Sequence, residues 1–294
     1  MQPSKLRSVS AYFPGMLFSL LLIGGLAACS NDDDNDNGKG QHPTTSFSKI
    51  ELTEVMTEEP TVPVTSTKTY LYKSGRLSGY TYLQSFVAGG EAFEITGTTT
   101  VKYGDHQAVV TDETGTVSTY TLNDKGYAVS CIRQESDGSV RTYEFSYLVN
   151  TEDKYYLTNI TEKLNDGNVY SSIDIEFSSF RSIHIKQKVG TYEHNSTAIT
   201  APDNEIANIS EIPYPYLAEQ HPLEMHTVAI YGKLLGEPFD CLITQLSPDD
   251  NSESQETTTY TYTLDARGIV TSCKEVTNDK YGVAYRRTVE YTIE

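Results

Sequence analysis

Apolar and polar residues alternate along most of this chain, beginning at Phe47. In Thr257 to Leu264, Tyr260, Tyr262 and Leu264 share one side and threonines take the other. In the final stretch Val283, Tyr285, Val289, Tyr291 and Ile293 share a side with one intruder, Arg287. Ala284, Arg286, Thr288, Glu290 and Thr292 take the opposite side. A period of two places such residues on opposite faces of a sheet. Turn signals recur between the alternating runs, among them Lys73-Ser74-Gly75, Gly89-Gly90, Gly104-Asp105, Thr114-Gly115, Asp137-Gly138 and Asp166-Gly167. Short strands punctuated in this way predict an all-β antiparallel meander. Roughly 14 to 16 strands fit, beyond the ~10 at which open sheets curl or split. The expectation is a strongly curved sheet, or an open or closed barrel-like fold.

One stretch departs from this period. Pro213, Pro215 and Pro222 interrupt the segment from Glu211 to Phe239, and Pro222 opens a run closed by Gly236 and Pro238. Proline at a start and glycine past an end predict a helix. Leu223, Ile230, Tyr231 and Leu234 would share one helical face. One or two short helices are therefore expected near 213–237, with their apolar stripe against the concave face of the sheet.

A hairpin pattern occurs twice. Tyr120-Thr121-Leu122-Asn123-Asp124-Lys125-Gly126 and Tyr262-Thr263-Leu264-Asp265-Ala266-Arg267-Gly268 share a frame, with Ser130-Cys131 and Ser272-Cys273 four residues on. Further along, Arg141-Thr142-Tyr143-Glu144 aligns with Arg287-Thr288-Val289-Glu290. The second copy is longer by four residues, which the sequence places in its loop.

The first residues read as processing signals rather than fold. Lys5 and Arg7 precede an apolar run from Met16 to Leu26, and Leu26-Ala27-Ala28-Cys29 resembles a bacterial lipobox. A plain signal peptide with a chance cysteine is the plainer reading. A membrane span needs ~20 apolar residues, and Gly24-Gly25 breaks this run. The acidic run Asp32-Asp33-Asp34-Asn35-Asp36 follows, and it resembles the lipoprotein export signal of Bacteroidota-type bacteria. It also reads as a solvated spacer. The expected organisation is a lipoprotein signal peptide over 1–28, lipidation of Cys29, a flexible acidic tether over 29–45, and one β-rich domain over 46–294.

Composition narrows the partners. The chain of 294 residues has 22 basic and 40 acidic residues, a net charge of −18. Such a surface argues against nucleic acid. Cys131, Cys241 and Cys273 are an odd number, and the equivalence of Cys131 and Cys273 points to a shared structural slot, leaving any pairing open. The 22 tyrosines, with no tryptophan, recur at strand period, as packing on a sheet face requires.

Chemistry is sparse. His221 and His226 bracket Glu224, but they stand five apart with Pro222 between them, where a zinc helix needs four. His42, His106, His184 and His194 are scattered, and His184 reads as a strand residue with its ring at a sheet face. Asp249-Asp250-Asn251 reads as a solvated polar loop. The expectation is no metal site, no cofactor and no catalytic residue that sequence can name.

Together the lipobox, the acidic run, the repeated hairpins, the helical insert and the C-terminal Tyr-Thr hairpin resemble a family of Bacteroidota surface lipoproteins of unknown function with a porin-like β-fold. The resemblance covers most of 46–294 and brings no catalytic residues. It implies an outer-membrane protein held by a lipid on Cys29 and exposed at the cell surface. Polar residues on the second sheet face argue for a barrel standing in water rather than spanning lipid. Two function classes follow. One is a non-enzymatic module binding a glycan, a peptide or an outer-membrane partner. The alternative is an extracellular hydrolase using Asp and Glu as acid and base. A structural role in the envelope is the third reading.

Overall fold

The computed structural model describes residues 43–56, 64–179, 182–200, 205–249, 256–279 and 282–294. The expected signal peptide, Cys29, most of the tether, His42, Asp250 and Asn251 lie outside these residues. Sixteen strands follow in order: β1 Lys49–Met56, β2 Val64–Lys73, β3 Arg76–Ala88, β4 Glu91–Gly104, β5 Gln107–Asp112, β6 Val117–Leu122, β7 Ala128–Gln134 and β8 Val140–Val149. They continue with β9 Tyr155–Lys163, β10 Val169–Ser179, β11 Ser182–Val189, β12 Tyr192–Ile199, β13 Gln245–Pro248, β14 Thr257–Leu264, β15 Val270–Asp279 and β16 Gly282–Ile293. Each pairs antiparallel with its neighbour in sequence, and β1 pairs with β16 to close a barrel.

The period of two sorts side chains between lumen and exterior. Along β4, Gly97, Thr99 and Val101 are buried while Thr98, Thr100 and Lys102 are exposed. From Tyr285 onward, Arg287, Val289 and Tyr291 are buried and Arg286, Glu290 and Thr292 are exposed. The lumen is therefore the hydrophobic core. Tyr70, Tyr120, Tyr143, Ile160, Ile173 and Ile185 all lie in it almost without exposure. Burying each such isoleucine contributes roughly 1.5–3 kcal/mol.

The repeated motif has a defined local chemistry. Asn123 Oδ1 accepts the amides of Lys125 and Tyr127 at 3.0 Å each. Asp265 Oδ1 accepts those of Arg267 and Ile269 at 2.8 and 3.0 Å. This explains the Asn or Asp of the frame, a residue type whose side chain builds its own turn. Gly126 and Gly268 follow with φ of 85° and 82°, a region that favours glycine. Both hairpins carry a bulge at the same place, Thr121/Leu122 and Thr263/Leu264. The extra residue of each bulge is on the partner strand, Val129 and Thr271; Leu122 is buried, while Leu264 is exposed rather than facing inward with Tyr260 and Tyr262. The four extra residues of the second copy are not in its loop. They extend the facing ends of the strands: β15 runs on to Asp279 and β16 starts at Gly282, whereas β7 stops at Gln134 and β8 starts at Val140.

The segment between β12 and β13 fills the lumen. It carries α1 Pro215–Glu219, a 3-10 turn Leu223–His226 and α2 Thr227–Tyr231. The expected apolar stripe packs inward: Leu223 and Leu234 are buried, and Tyr231 stacks on Tyr70 at 3.8 Å. The helical run stops earlier than Gly236, at a C-cap on Gly232. A Cβ at Gly232 would press on Val228 O and Leu77, so glycine lets the insert turn close to the wall.

Because the strands run up and down, the insert leaves β12 and enters β13 at one end of the barrel, beside the 123–127, 150–154 and 265–269 turns. The insert joins the barrel at this end, termed here the closed end. The 113–116, 135–139 and 190–191 turns lie at the other end, termed the mouth.

Candidate functional site

The top of the insert forms a floor across the barrel, facing the mouth. Its polar residues meet inward-pointing charges of the walls. On one side Glu162 of β9 is fully buried. Its Oε1 accepts Arg141 Nη1 at 2.6 Å and the Tyr143 hydroxyl at 3.3 Å. Its Oε2 accepts the Ser171 hydroxyl at 2.6 Å and His221 Nε2 at 2.7 Å. Burial alone would lift a carboxylate's pKa. Here the donors His221, Ser171 and Arg141 outweigh it and hold Glu162 down at about 2. His221 Nδ1 lies 3.2 Å from Glu224 Oε1. Burial opposes the His221 charge, but Glu162 and Glu224 prevail and raise its pKa from 6.5 to about 9.

On the opposite side Arg287 of β16 is 5% exposed. Its Nε and Nη2 reach Glu275 Oε2 at 2.8 and 2.6 Å, and its Nη1 reaches Glu219 of α1. This explains the one charge on the apolar side of the last strand. Burial works against the guanidinium, yet Glu219 and Glu275 hold it above its ordinary range. Nearby, Glu54 accepts Lys68 Nζ at 3.0 Å and the Ser66 hydroxyl at 3.1 Å. Burial would raise the Glu54 pKa, but Lys68 and Arg287 lower it. Between the two groups Arg133 binds Glu135 at 2.7 Å and donates to Met225 O at 3.4 Å.

Beneath the floor His226 is 1% exposed. Its Nδ1 is 2.7 Å from the Tyr120 hydroxyl, and its ring stands edge-on to Tyr143 and Phe145. Burial, aided by Arg133, drops its pKa to about 3, so it is neutral.

These positions settle several expectations. His221 and Glu224 meet, but His226 turns away into the aromatic core, and no group of three or more metal-binding side chains occurs among the described residues. His184 lies on the outer wall, its Nδ1 3.1 Å from Asp249 Oδ2 and 2.9 Å from Thr197 Oγ1. Asp249 thus has wall partners, Thr197 Oγ1 included, rather than water alone. His194 stacks on Tyr192, and His106 sits in the β4–β5 turn 3.8 Å from both Asp105 and Asp124. Cys131 and Cys273 are free, buried, and opposite Tyr120 and Tyr262, the shared slot the repeat implied. Burial pushes both thiols up to about 12. Glu162 was missed in the sequence. Its signal is a carboxylate two residues past Ile160, on the inward side of a strand.

The floor carries fixed charges. A general base at neutral pH needs an open lone pair and a pKa near 7. His221 has both nitrogens engaged and stays cationic, and Glu162 stays ionised. Glu219 and Glu224 offer more to a ligand, with side chains 44% and 49% exposed on the floor. A cavity of about 60 Å³ lies lower, between the insert and β9–β10, lined by Leu157, Ile175, Leu217, Ile230 and Phe239. Glu211, Lys233 and Glu237 also line it, and none of Glu162, Glu219, His221 and Glu224 does.

The family described as a domain of unknown function (DUF4595) with porin-like fold matches residues 71–272. This chain belongs to that family. The DUF4595 match takes in Glu162, Arg141 and the whole insert, while Glu54, Lys68, Arg287 and the β1–β16 seam lie outside it. Among solved structures, a porin-like protein from Bacteroides uniformis is 64% identical with a TM-score of 0.81, over 86% of this chain and 100% of that one. A porin-like protein from Bacteroides vulgatus shares the fold alone, at 11% identity and a TM-score of 0.54, over 86% of this chain and 99% of that one. No curated protein matches.

Proposed function

We propose that this DUF4595 protein is a lipid-anchored, surface-exposed lipoprotein whose barrel is a non-enzymatic binding module, receiving a glycan, a peptide or an outer-membrane partner at its mouth. The observation that carries the reading is the plugged lumen. Wall residues meet the insert from every side: Tyr72 donates to Tyr231 O at 3.0 Å, Tyr147 to Leu234 O at 3.4 Å and Tyr262 to Ile243 O at 3.0 Å. Arg287 reaches Glu219 from β16, and Glu162 reaches His221 from β9. Among the described residues the lumen is packed with side chains of the walls and the insert.

The outer face supports a barrel standing in water. A spanning barrel needs an apolar band about 25 Å tall on its outside. Here the exterior carries Lys102, Glu144, Lys163, Glu176 and Lys186, several of them in ion pairs across strands. The lipobox-like Cys29 supplies the anchor that such a barrel needs.

Two measurements test the reading. Cys29→Ala is expected to release the protein from membranes, and unchanged membrane partition would remove the anchor. Glycan-array and pull-down screens with the intact protein in native membranes are expected to yield a ligand whose capture falls in the Glu219→Gln/Glu224→Gln double variant. Screens that stay blank, or capture untouched by that variant, would count against a binding mouth.

A further inference from the structure

The barrel wall steps at the mouth. β3 and β4 pair with each other from Gly79 and Thr100 up to Ala88 and Glu91, at the Gly89-Gly90 turn. β5 stops lower, its last pair being Asp112 with Thr99 of β4. Glu91 to Thr98 therefore stand above the β5–β6 turn, about 25 Å of strand at ~3.3 Å per residue. Among the described residues no strand pairs with that stretch on the β5 side. A closed barrel abolishes sheet edges, and this one leaves an edge bare.

One contact fixes the polarity of the edge. Thr98 N donates to Glu113 Oε2 at 3.1 Å, so the Thr98 amide points to the β5 side. Alternate residues of an antiparallel strand send N–H and C=O to the same side. Ala92, Glu94 and Thr96 thus hold out donors and acceptors on the open edge, and Glu113 closes it at the foot. The two faces differ. Phe93 and Ile95 lie on the inward face with Gly97 and Thr99, and Phe93 stacks on Phe86 across the hairpin at 5.5 Å. Phe93 is still 42% exposed. Glu94 and Thr96 are exposed on the outward face.

We propose that this edge is a strand-addition site: an extended peptide segment of a partner protein pairs antiparallel with Ala92–Thr96, setting basic side chains beside Glu94 and apolar ones beside Phe93 and Ile95. Main-chain hydrogen bonds supply the affinity of such pairing, and alternate side chains supply its specificity. Natural edges are guarded by charge or twist. Glu94 guards the outward face, yet the inward face presents an open aromatic pair. A second copy of this chain fits less well. Antiparallel self-pairing centred on Glu94 sets two carboxylates directly opposite, and like charges so placed destabilise a sheet. Each copy also carries a net charge of −18. A segment with basic residues at alternate positions relieves that repulsion. The edge shares no residue with the Glu219 and Glu224 floor, so the proposal stands apart from the reading of the floor as a binding surface.

The test titrates the full chain, by calorimetry, with a short synthetic peptide alternating lysine and valine. In an antiparallel pair, residues directly opposite share a face and exchange hydrogen bonds, so the lysine amides are the ones that reach β4. N-methylation of the lysine amides is expected to weaken binding several-fold, and N-methylation of the valine amides to spare it. Thr96→Pro removes an N–H on the open side, away from the β3 ladder, and is expected to weaken binding likewise. Should that variant fold poorly, the two methylated peptides decide the matter on the unaltered protein. Glu94→Lys is expected to reverse the preference between this peptide and one alternating glutamate and valine. Absent binding, equal binding of the two methylated peptides, or binding untouched by a folded Thr96→Pro overturns the proposal. A dimer in sedimentation that Thr96→Pro dissolves assigns the edge to a second copy and overturns the peptide. Binding lost in Glu219→Gln/Glu224→Gln but kept in Thr96→Pro places the peptide on the floor, which overturns the edge and leaves the floor reading standing.

Discussion

Arg141 and Arg287 occupy equivalent places in the repeated hairpin and reach the same insert from opposite walls. They stand eight strands apart in a ring of sixteen, on β8 and β16. Arg141 acts through Glu162 on His221, and Arg287 binds Glu219 directly. Their cross-strand neighbours differ. Arg141 faces Arg133, whereas Arg287 faces Glu275. The repeat thus supplies one scaffold whose two copies hold the two sides of one plug.

The two arginines are expected to differ in worth. Arg287→Met leaves Glu275 buried without its cation, and breaking a buried pair costs ~3–5 kcal/mol. Arg141→Met leaves Glu162 with His221, Ser171 and Tyr143, and the loss is expected to be smaller, about 1–2 kcal/mol. Urea unfolding of the two variants checks this, and equal midpoints would contradict it.

The Glu162–His221 pair gives a signed pH dependence. His221 is raised, so its contribution is complete below 6.5 and is lost as pH rises toward 9. Glu162 is lowered, so its contribution is complete above 4.5 and is lost as pH falls toward 2. Stability measured from pH 6.5 to 9 is expected to decline in the wild type and to decline less in His221→Gln. Parallel curves would show that the pair does not link to folding.

His226 acts with the opposite sign to His221. It is buried neutral, so the folded state resists its protonation, and stability drains as pH falls from 6.5 toward 3. In His226→Phe the acid unfolding midpoint is expected to move to lower pH, although the lost Tyr120 hydrogen bond costs ~1 kcal/mol at neutral pH. An acid midpoint that stays in place would mean His226 is not the group that titrates.

Gly97 makes room at the mouth. A Cβ there would collide with the Tyr82 ring and the Glu113 carboxylate, which are themselves joined by a 3.1 Å hydrogen bond. Gly97→Ala is expected to cost about 1–3 kcal/mol through overpacking, and to free Glu113 from the Thr98 amide it accepts at 3.1 Å. Thermal unfolding reads the loss, and an unchanged midpoint would show that Tyr82 swings aside freely.

Thiol chemistry separates the three described cysteines. Cys131 and Cys273 are 1% and 2% exposed with suppressed ionisation, while Cys241 is half-buried. Alkylation of the native protein is expected to modify Cys241 first and the other two only on unfolding. Mass spectrometry of a labelling time course checks the order, and early modification of Cys131 would show that the wall opens.

Much of the barrel was written in local pattern. Tyr70, Tyr120, Tyr143, Tyr260 and Tyr291 point inward at strand period, though Tyr192 does not, and the Asn or Asp of the repeated frame builds its own turn. Arg287 was visible as a charge on an apolar side, which is the mark of a buried partner. Its partner Glu219 was not visible, because nothing local to α1 says which wall it will face. Glu162 lay in the same blind spot: alternation shows which side of a strand a residue takes, not what crosses the lumen to meet it. Closure was equally hidden, since β1 and β16 read like any other pair of strands. The His221–Glu224–His226 spacing was legible, but not that His221 and Glu224 would meet while His226 turned into the aromatic core.

The seam between β1 and β16 sets an order of assembly. Every other strand pairs with a neighbour in the chain, but here Ile50 meets Ile293 and Leu52 meets Tyr291. Hairpins can form as the chain emerges, yet both β1 and β16 must be present before the ring shuts. Until then the growing sheet shows two bare edges and an uncovered tyrosine face, the surfaces most open to misassembly.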